Sequence, residues 1–317
     1  MKIVTLLNNT GEGFPIESKR LREEPSVELR IHPFTSEQDI IRACQDAYIV
    51  GLSDARITKK VIDSLHECRL IIRYGVGVDN IDLDAARARD IFVCNAPSYG
   101  TIDVAEHAFG LIITLSRQTK EYDERLRSGN WAVRDDFPTF RLSGKTLGLV
   151  GFGRIARSVC VKAVAFGMHV LVYDPFIKKE SVNSINVESS ELNRLFEQSD
   201  IVSLHLPLST TTEHFVDSNL LRRMKRNAII INTSRGKLID MEALVDCLVN
   251  ERIAGAGLDV FPEEPFAANH PLLKMEHTVL TPHIAWFSHE SIIALHEEVT
   301  DDMIRVLRNE APINRVI

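Results

Sequence analysis

Residues Thr146 to Asp174 read TLGLVGFGRIARSVCVKAVAFGMHVLVYD, a stretch that few chain topologies can accommodate. It opens with an apolar run, Leu147 to Val150, of the kind that forms a buried strand. Gly151-Phe152-Gly153-Arg154-Ile155-Ala156 follows, a G-x-G-x-x-A turn. Arg157 to Phe166 reads as a helix, and Gly167 stops it. A second strand, His169 to Tyr173, ends on Asp174, 23 positions after the first glycine. Strand, glycine turn, helix, strand and terminal acid in that order make a dinucleotide-binding fingerprint.

Each part has a physical task. Gly151 permits the tight turn, and Gly153, lacking a Cβ, lets the backbone approach a pyrophosphate. Ala156 is small enough for the helix to pack close to the strand. The helix N-terminus offers N–H groups and a partial positive charge to phosphates. Asp174 can accept from the ribose hydroxyls of NAD and would repel the 2′-phosphate of NADP. Lys178 and Lys179 nearby oppose that preference, and NAD remains the favoured cofactor.

The remaining bounds are set by composition. A chain of 317 residues has room for two domains. The net charge of -7 argues against nucleic acid as a partner. No apolar run reaches the length of a membrane span, and MKIVTLLNNT reads as a strand without a signal-cleavage pattern. The five cysteines are scattered without a C-x-x-C pair, as expected of structural thiols in a reducing cytoplasm. No motif suggests a metal site.

Residues 1 to about 100 alternate strands with helices, which implies a parallel sheet with both faces covered. This unit lacks a phosphate fingerprint. It does contain Arg73-Tyr74-Gly75-Val76-Gly77-Val78-Asp79-Asn80, where two glycines follow a buried strand. That segment is either an anion-binding turn or a plain strand–helix connection. A single long helix is expected from Asp103 to about Leu126, with His107 as a packing or capping residue. After Arg127 to Trp131 an irregular stretch runs to Ser143-Gly144-Lys145, and an exposed Trp and Phe there, Trp131 with Phe137 or Phe140, would suit a subunit interface.

After Asp174 four more strands end on polar sequences: His205-Leu206-Pro207, Asn232-Thr233-Ser234-Arg235-Gly236, Asp259 to Pro265, and Thr281-Pro282-His283. Ligands of open α/β sheets bind outside the carboxyl ends of the strands, so Arg235, Asp259, Glu264 and His283 fall where a site belongs. Hydride transfer at an alcohol carbon needs a cation to hold and polarise the substrate, and the planar fork of Arg235 suits that. It needs a group that exchanges a proton near neutral pH, a task for His283. It also needs a carboxylate to orient that imidazole, which Glu264 can supply. Asp259 could accept from the nicotinamide amide. Each of these residues also has an ordinary structural reading as a turn, loop or capping group.

At this point the chain resembles the D-isomer-specific 2-hydroxyacid dehydrogenases over essentially its whole length. The matching motifs are RYGVGVDNID (Arg73 to Asp82), DVAEH (Asp103 to His107), the glycine turn with Asp174, and SLHLPL (Ser203 to Leu208). INTSRG (Ile231 to Gly236), LDVFPEEP (Leu258 to Pro265) and TPHIA (Thr281 to Ala285) complete the set. The resemblance implies Arg235, Glu264 and His283 as a catalytic trio. It implies Gly151, Gly153, Arg154, Ile155, Asp174, Leu206, Pro207, Thr233 and Asp259 at NAD. It implies the backbone amides of Val76 and Gly77 at the substrate carboxylate. The fold it implies is α/β with two doubly wound parallel-sheet domains. A Rossmann-type NAD-binding domain, 100–286, is inserted into a flavodoxin-like substrate domain, 1–99 and 287–317. A cytoplasmic homodimer that acts on a small 2-oxo or 2-hydroxy acid is the expected form.

Several positions bear on the substrate. Ala156 replaces a commoner third glycine, and Leu52 stands where phosphoglycerate dehydrogenases usually offer an arginine. No regulatory domain follows Ile317, and both facts argue against phosphoglycerate. His283 to Ser288 (HIAWFS) and Asp174-Pro175-Phe176 look like the C-terminal-binding-protein branch, which places Trp286 in the substrate pocket. The main expectation is therefore an NAD-dependent D-2-hydroxyacid dehydrogenase. The alternatives are an NAD(H)-sensing, corepressor-like interaction protein and a phosphoglycerate- or phosphonate-type dehydrogenase.

Overall fold

All pairings between strands are parallel, because each strand is followed by enough chain to return before the next begins. The computed structural model describes residues 1–9, 13–132, 139–178, 182 and 186–317. Two units are present, one of Met1–Gly100 with Phe287–Ile317, the other of Thr101–Trp286.

The first unit runs β1 (Lys2–Leu7), α1 (Pro15–Leu21), β2 (Val27–His32), α2 (Glu37–Cys44), β3 (Ile49–Leu52), α3 (Lys59–Ser64), β4 (Leu70–Arg73), α4 (Leu83–Ala88) and β5 (Phe92–Cys94). Its sheet order is β2-β1-β3-β4-β5, the flavodoxin-like arrangement. Side chains of Ser36, Thr58 and Asp82 cap α2, α3 and α4 by accepting from the third N–H of each helix. Those helices cover one face with Ile40, Val61, Ile62 and Ala86 against Val50, Ile71 and Val93.

The second unit begins with α5 (Thr101–Arg117) and α6 (Thr119–Arg127). One continuous helix was expected here. Gln118 instead adopts φ +53°, ψ +37°, a left-handed residue that ends one helix and starts the other. Of the irregular stretch that follows, residues 133–138, Phe137 among them, lie outside the described residues. The unit continues with β6 (Thr146–Val150), α7 (Arg154–Ala165), β7 (His169–Tyr173), β8 (Val187–Ser189), α8 (Leu192–Gln198), β9 (Ile201–Leu204), α9 (Ser218–Arg223), β10 (Ile229–Asn232), α10 (Met241–Val249), β11 (Gly255–Leu258) and β12 (Thr278–Leu280). The sheet order is β12-β11-β10-β9-β6-β7-β8, the Rossmann order with one added edge strand. Order reverses between β6 and β9, which is the switch point where such sheets bind ligands.

Apolar layers fill both faces of this sheet. Ala105, Ala108, Ile112 and Leu115 of α5 pack with Val159 and Ala163 of α7 on one side. Phe196 of α8, Leu221 of α9 and Leu244 of α10 pack on the other. The first unit is then completed by α11 (His289–Leu307), whose start is fixed by a capping box between Ser288 and Ser291.

Phe196 is among the largest side chains with no solvent exposure. Phe196→Ala removes the ring and leaves a cavity under α8. Urea denaturation should show a stability loss of about 3–5 kcal/mol.

Candidate active site

The strand ends of the second unit converge through backbone contact. Asn232 closes β10, and its side chain braces the turn that follows: Oδ1 accepts from Ser234 N at 3.0 Å, and Nδ2 donates to Arg235 O at 2.8 Å. Gly236 comes next. A Cβ there would lie 1.9 Å from the carbonyl carbon of Phe261, so the β10 and β11 loops touch backbone to backbone. Arg235 is half-buried, and its Nη1 donates to Ser234 O at 2.8 Å.

From the β11 loop, Glu264 accepts from Phe261 N through Oε1 (2.9 Å) and meets His283 Nδ1 through Oε2 (2.6 Å). Burial pushes the Glu264 carboxyl up, but the His283 and Phe261 hydrogen bonds, with the His283 and Arg235 charges, outweigh it and hold the group below the usual carboxylate range. Arg235, Glu264 and His283 thus share one electrostatic environment. The side chains of His283 and Glu264 remain 39 % and 37 % exposed, so the imidazole is held yet accessible. With Nδ1 engaged by a carboxylate, Nε2 is the nitrogen left to exchange a proton.

His283 sits at φ +54°, a conformation that a non-glycine residue adopts only where its surroundings impose it. The imposing group is Asp259, which is 1 % exposed. Its Oδ1 accepts from Thr281 Oγ1 (2.5 Å) and Ile284 N (2.9 Å), and its Oδ2 from Ala285 N (2.8 Å). Its backbone carbonyl accepts from His283 N at 2.8 Å. Trp286 adds a further tie, donating from Nε1 to His283 O at 3.0 Å. His107 of α5 meets Thr281 Oγ1 at 2.9 Å. Because that hydroxyl spends its one proton on Asp259, His107 must donate from Nε2.

Residues that could hold NAD surround the β6–α7 turn. Gly151 has φ +90°, and a Cβ there would lie 2.5 Å from His205 O and 3.2 Å from Leu206 Cδ2, which places Leu206 over the turn. Gly153 is the N-cap of α7 and offers no side chain to its first N–H groups, and the position of its missing Cβ is open space. Arg154 is exposed at the helix start, and Ile155 packs on the core. Asp174, at the end of β7, accepts from Phe152 N at 2.8 Å and Phe176 N at 2.9 Å. It ties the glycine turn to the second strand and keeps lone pairs for further donors. Pro207 is exposed beyond β9, whereas Thr233 is buried after β10, its Oγ1 without a partner among the described residues. The open Gly153 cradle and the orphaned Thr233 hydroxyl are what a dinucleotide site requires. Burial pushes His205 down to about 4, so it is a neutral packing residue with Nε2 on Ser203 Oγ. Lys179 lies outside the described residues.

In the first unit, Tyr74 is buried, and the turn after β4 carries Val76, a residue 44 % exposed. Gly75 O accepts from Ala96 N at 3.0 Å, and Val76 O accepts from Asn95 Nδ2 at 2.6 Å. Among the described residues no cluster of His, Cys, Asp or Glu could hold a metal ion, and no helix is long and apolar enough to cross a membrane.

Thr281, Asn232, Gly236 and Asn95 escaped the sequence reading. The only signal for the first three is their place inside the TPH and INTSRG motifs; Asn95 carries none.

Residues 109–285 match the family model described as "D-isomer specific 2-hydroxyacid dehydrogenase, NAD binding domain". A glyoxylate reductase of Korarchaeum cryptofilum is 41 % identical over 314 residues, 98 % of this chain and 92 % of that protein. A D-3-phosphoglycerate dehydrogenase of Methanocaldococcus jannaschii is 38 % identical over 291 residues, 91 % of this chain but 55 % of that protein, so the chain spans about half its length. The crystal structure of a D-lactate dehydrogenase from Aquifex aeolicus, complexed with NAD and lactic acid, superposes with a TM-score of 0.87 at 27 % identity, over 97 % of this chain and 96 % of that one.

Gly236→Ala should force the β10 and β11 loops apart. A loss of about 1–3 kcal/mol, read as a lowered thermal midpoint by calorimetry, is expected.

Proposed function

The chain belongs to the D-isomer-specific 2-hydroxyacid dehydrogenase family, NAD-dependent oxidoreductases of 2-hydroxy acids, and from that premise we propose that it interconverts glyoxylate, or a 2-oxo acid of similar size, and the corresponding 2-hydroxy acid. The observation that carries this reading is the 2.6 Å pair between His283 Nδ1 and Glu264 Oε2, with the Arg235 charge acting on the same carboxylate. Several relatives at 37 % to 41 % identity are named glyoxylate reductase.

The residues divide the work as follows. Arg235 binds the 2-oxo acid and draws electron density toward its carbonyl oxygen. The amides of Val76 and Gly77 bind the substrate carboxylate. The nicotinamide cofactor, when bound, would supply the hydride in its reduced form (NADH) or take it up in its oxidised form (NAD+). In the reducing direction His283 Nε2 gives its proton to the carbonyl oxygen, and Glu264 balances the imidazolium before that transfer. In the reverse direction neutral Nε2 takes the hydroxyl proton. Trp286 narrows the pocket beside His283 while its indole N–H holds the turn. Exposed Trp131, Leu126 and Ile102 support a homodimer, and five buried thiols suit a reducing cytoplasm.

A second reading, phosphoglycerate chemistry, has weaker support: Leu52 at the end of β3 is fully buried and offers a phosphate nothing. The branch likeness at residues 174–176 and 283–288 keeps a sensing role as the remaining alternative. A panel from glyoxylate and pyruvate to 4-methylthio-2-oxobutyrate and 3-phosphohydroxypyruvate separates the three, with NADH oxidation as readout. Glyoxylate or pyruvate should be preferred. Preference for the phosphorylated acid would favour the second reading, and tight NADH binding without turnover the third.

Because its neighbours hold Glu264 below the usual range, it stays ionised at neutral pH and loses its charge only on acidification. Glu264→Gln removes the counter-charge of the imidazolium. The reduction rate should then fall about 10-fold at neutral pH and lose the acid-side decline that follows protonation of this carboxylate.

A further inference from the structure

The turn after β4 is held by its carbonyls. The peptides joining residues 75, 76 and 77 are trans, so each N–H points opposite to the C=O of the same peptide. Gly75 O is bonded to Ala96 N (3.0 Å), which aims the Val76 N–H the other way. Val76 O is bonded to Asn95 Nδ2 (2.6 Å), which aims the Gly77 N–H to the same side. Two successive backbone N–H groups facing one direction form an anion-binding nest.

Other features favour an anion there. Gly75 has φ +141°, and a Cβ on it would lie 2.2 Å from Arg73 Nη1, so a guanidinium packs against the turn. Val76 exposes an apolar branched side chain, so this position is not held by side-chain burial. The opposite side of the turn is anchored twice over. Asn95 N donates to Asn314 O, and Asn314 N in turn donates to a carboxylate oxygen of buried Asp302. Asn95 therefore has little freedom to follow a moving Val76 carbonyl.

We propose that Asn95 is a positioning residue for the substrate carboxylate: its side-chain amide fixes the plane of the Val76–Gly77 peptide and thereby aims the Gly77 N–H at the anion. This rests on the assignment of the Val76 and Gly77 amides to substrate. Asn95 itself touches neither substrate nor cofactor. The companion bond from Ala96 uses backbone alone, so the Asn95 side chain is the half of this device that substitution can reach.

Asn95→Asp keeps the shape, but an ionised carboxylate cannot donate and repels the Val76 carbonyl. Asn95→Ala removes the donor without adding charge and serves if the first variant is poorly folded. Both are compared with the unaltered protein for KM of the preferred 2-oxo acid, Ki of oxamate as an unreactive carboxylate, kcat, and NADH affinity by fluorescence. KM and oxamate Ki should rise together, about 10-fold, with NADH affinity unchanged and kcat altered much less. A purely structural Asn95 would lower the thermal midpoint and leave KM and Ki alone, which overturns the proposal. Failure of the unaltered protein to reduce any 2-oxo acid overturns the functional reading and this proposal with it. Unchanged KM and Ki in variants of an active enzyme overturn the role of Asn95 only.

Discussion

Asp259 is the group on which the site of the second unit depends. Burying a carboxylate costs several kcal/mol unless its oxygens are met. Here they are met by one turn: Thr281, Ile284 and Ala285 all donate to it, and its own carbonyl takes the His283 amide. A turn built around a buried carboxylate has little choice of shape. That constraint holds His283 in a left-handed conformation it would otherwise leave, and presents the imidazole to Glu264. The Trp286 indole N–H and the His107 side chain act on the same turn from its far end and from α5.

The parallel sheet explains why the rest can be spread through the sequence. Each strand delivers its carboxyl end to the same edge, so Arg235, Glu264 and His283 need no sequence proximity. Close approach of the loops is then a matter of volume. Gly236 lets the β10 and β11 loops touch, and Gly151 lets the β6 turn lie against His205. A side chain at either would push these loops apart. The first unit uses another device at the turn after β4, peptide planes fixed by hydrogen bonds to their carbonyls.

What was legible in the sequence is what is local. The glycine turn, Asp174 and the strand–helix alternation depend on neighbours a few residues apart, and the structure places them in the elements expected, α7 starting three residues earlier than the propensity suggested. The place of the Arg, Glu and His at strand ends is legible in the sequence, while their reading as one trio comes from the family resemblance. The break at Gln118 was not legible, because a left-handed glutamine carries no composition signal. The partners of Asp259 were not, because they lie 22 to 26 residues away in sequence. An acid at a strand end before a proline-rich loop looks like a ligand group, one that could accept from the nicotinamide amide. In the structure three of its hydrogen bonds go to its own chain. Asn95 was silent for the same reason, since its partner Val76 is brought near only by the pairing of β4 with β5.

These two assignments of Asp259 separate cleanly in Asp259→Asn. An amide keeps the volume, but its nitrogen cannot accept from the Ala285 or Ile284 N–H. The measurement is NADH affinity by fluorescence titration beside kcat for reduction of the preferred 2-oxo acid. If Asp259 serves the catalytic turn, NADH affinity stays within a few-fold and kcat falls about 100-fold or more. Loss of NADH affinity in step with a nearly unchanged kcat would contradict the account and return Asp259 to the cofactor.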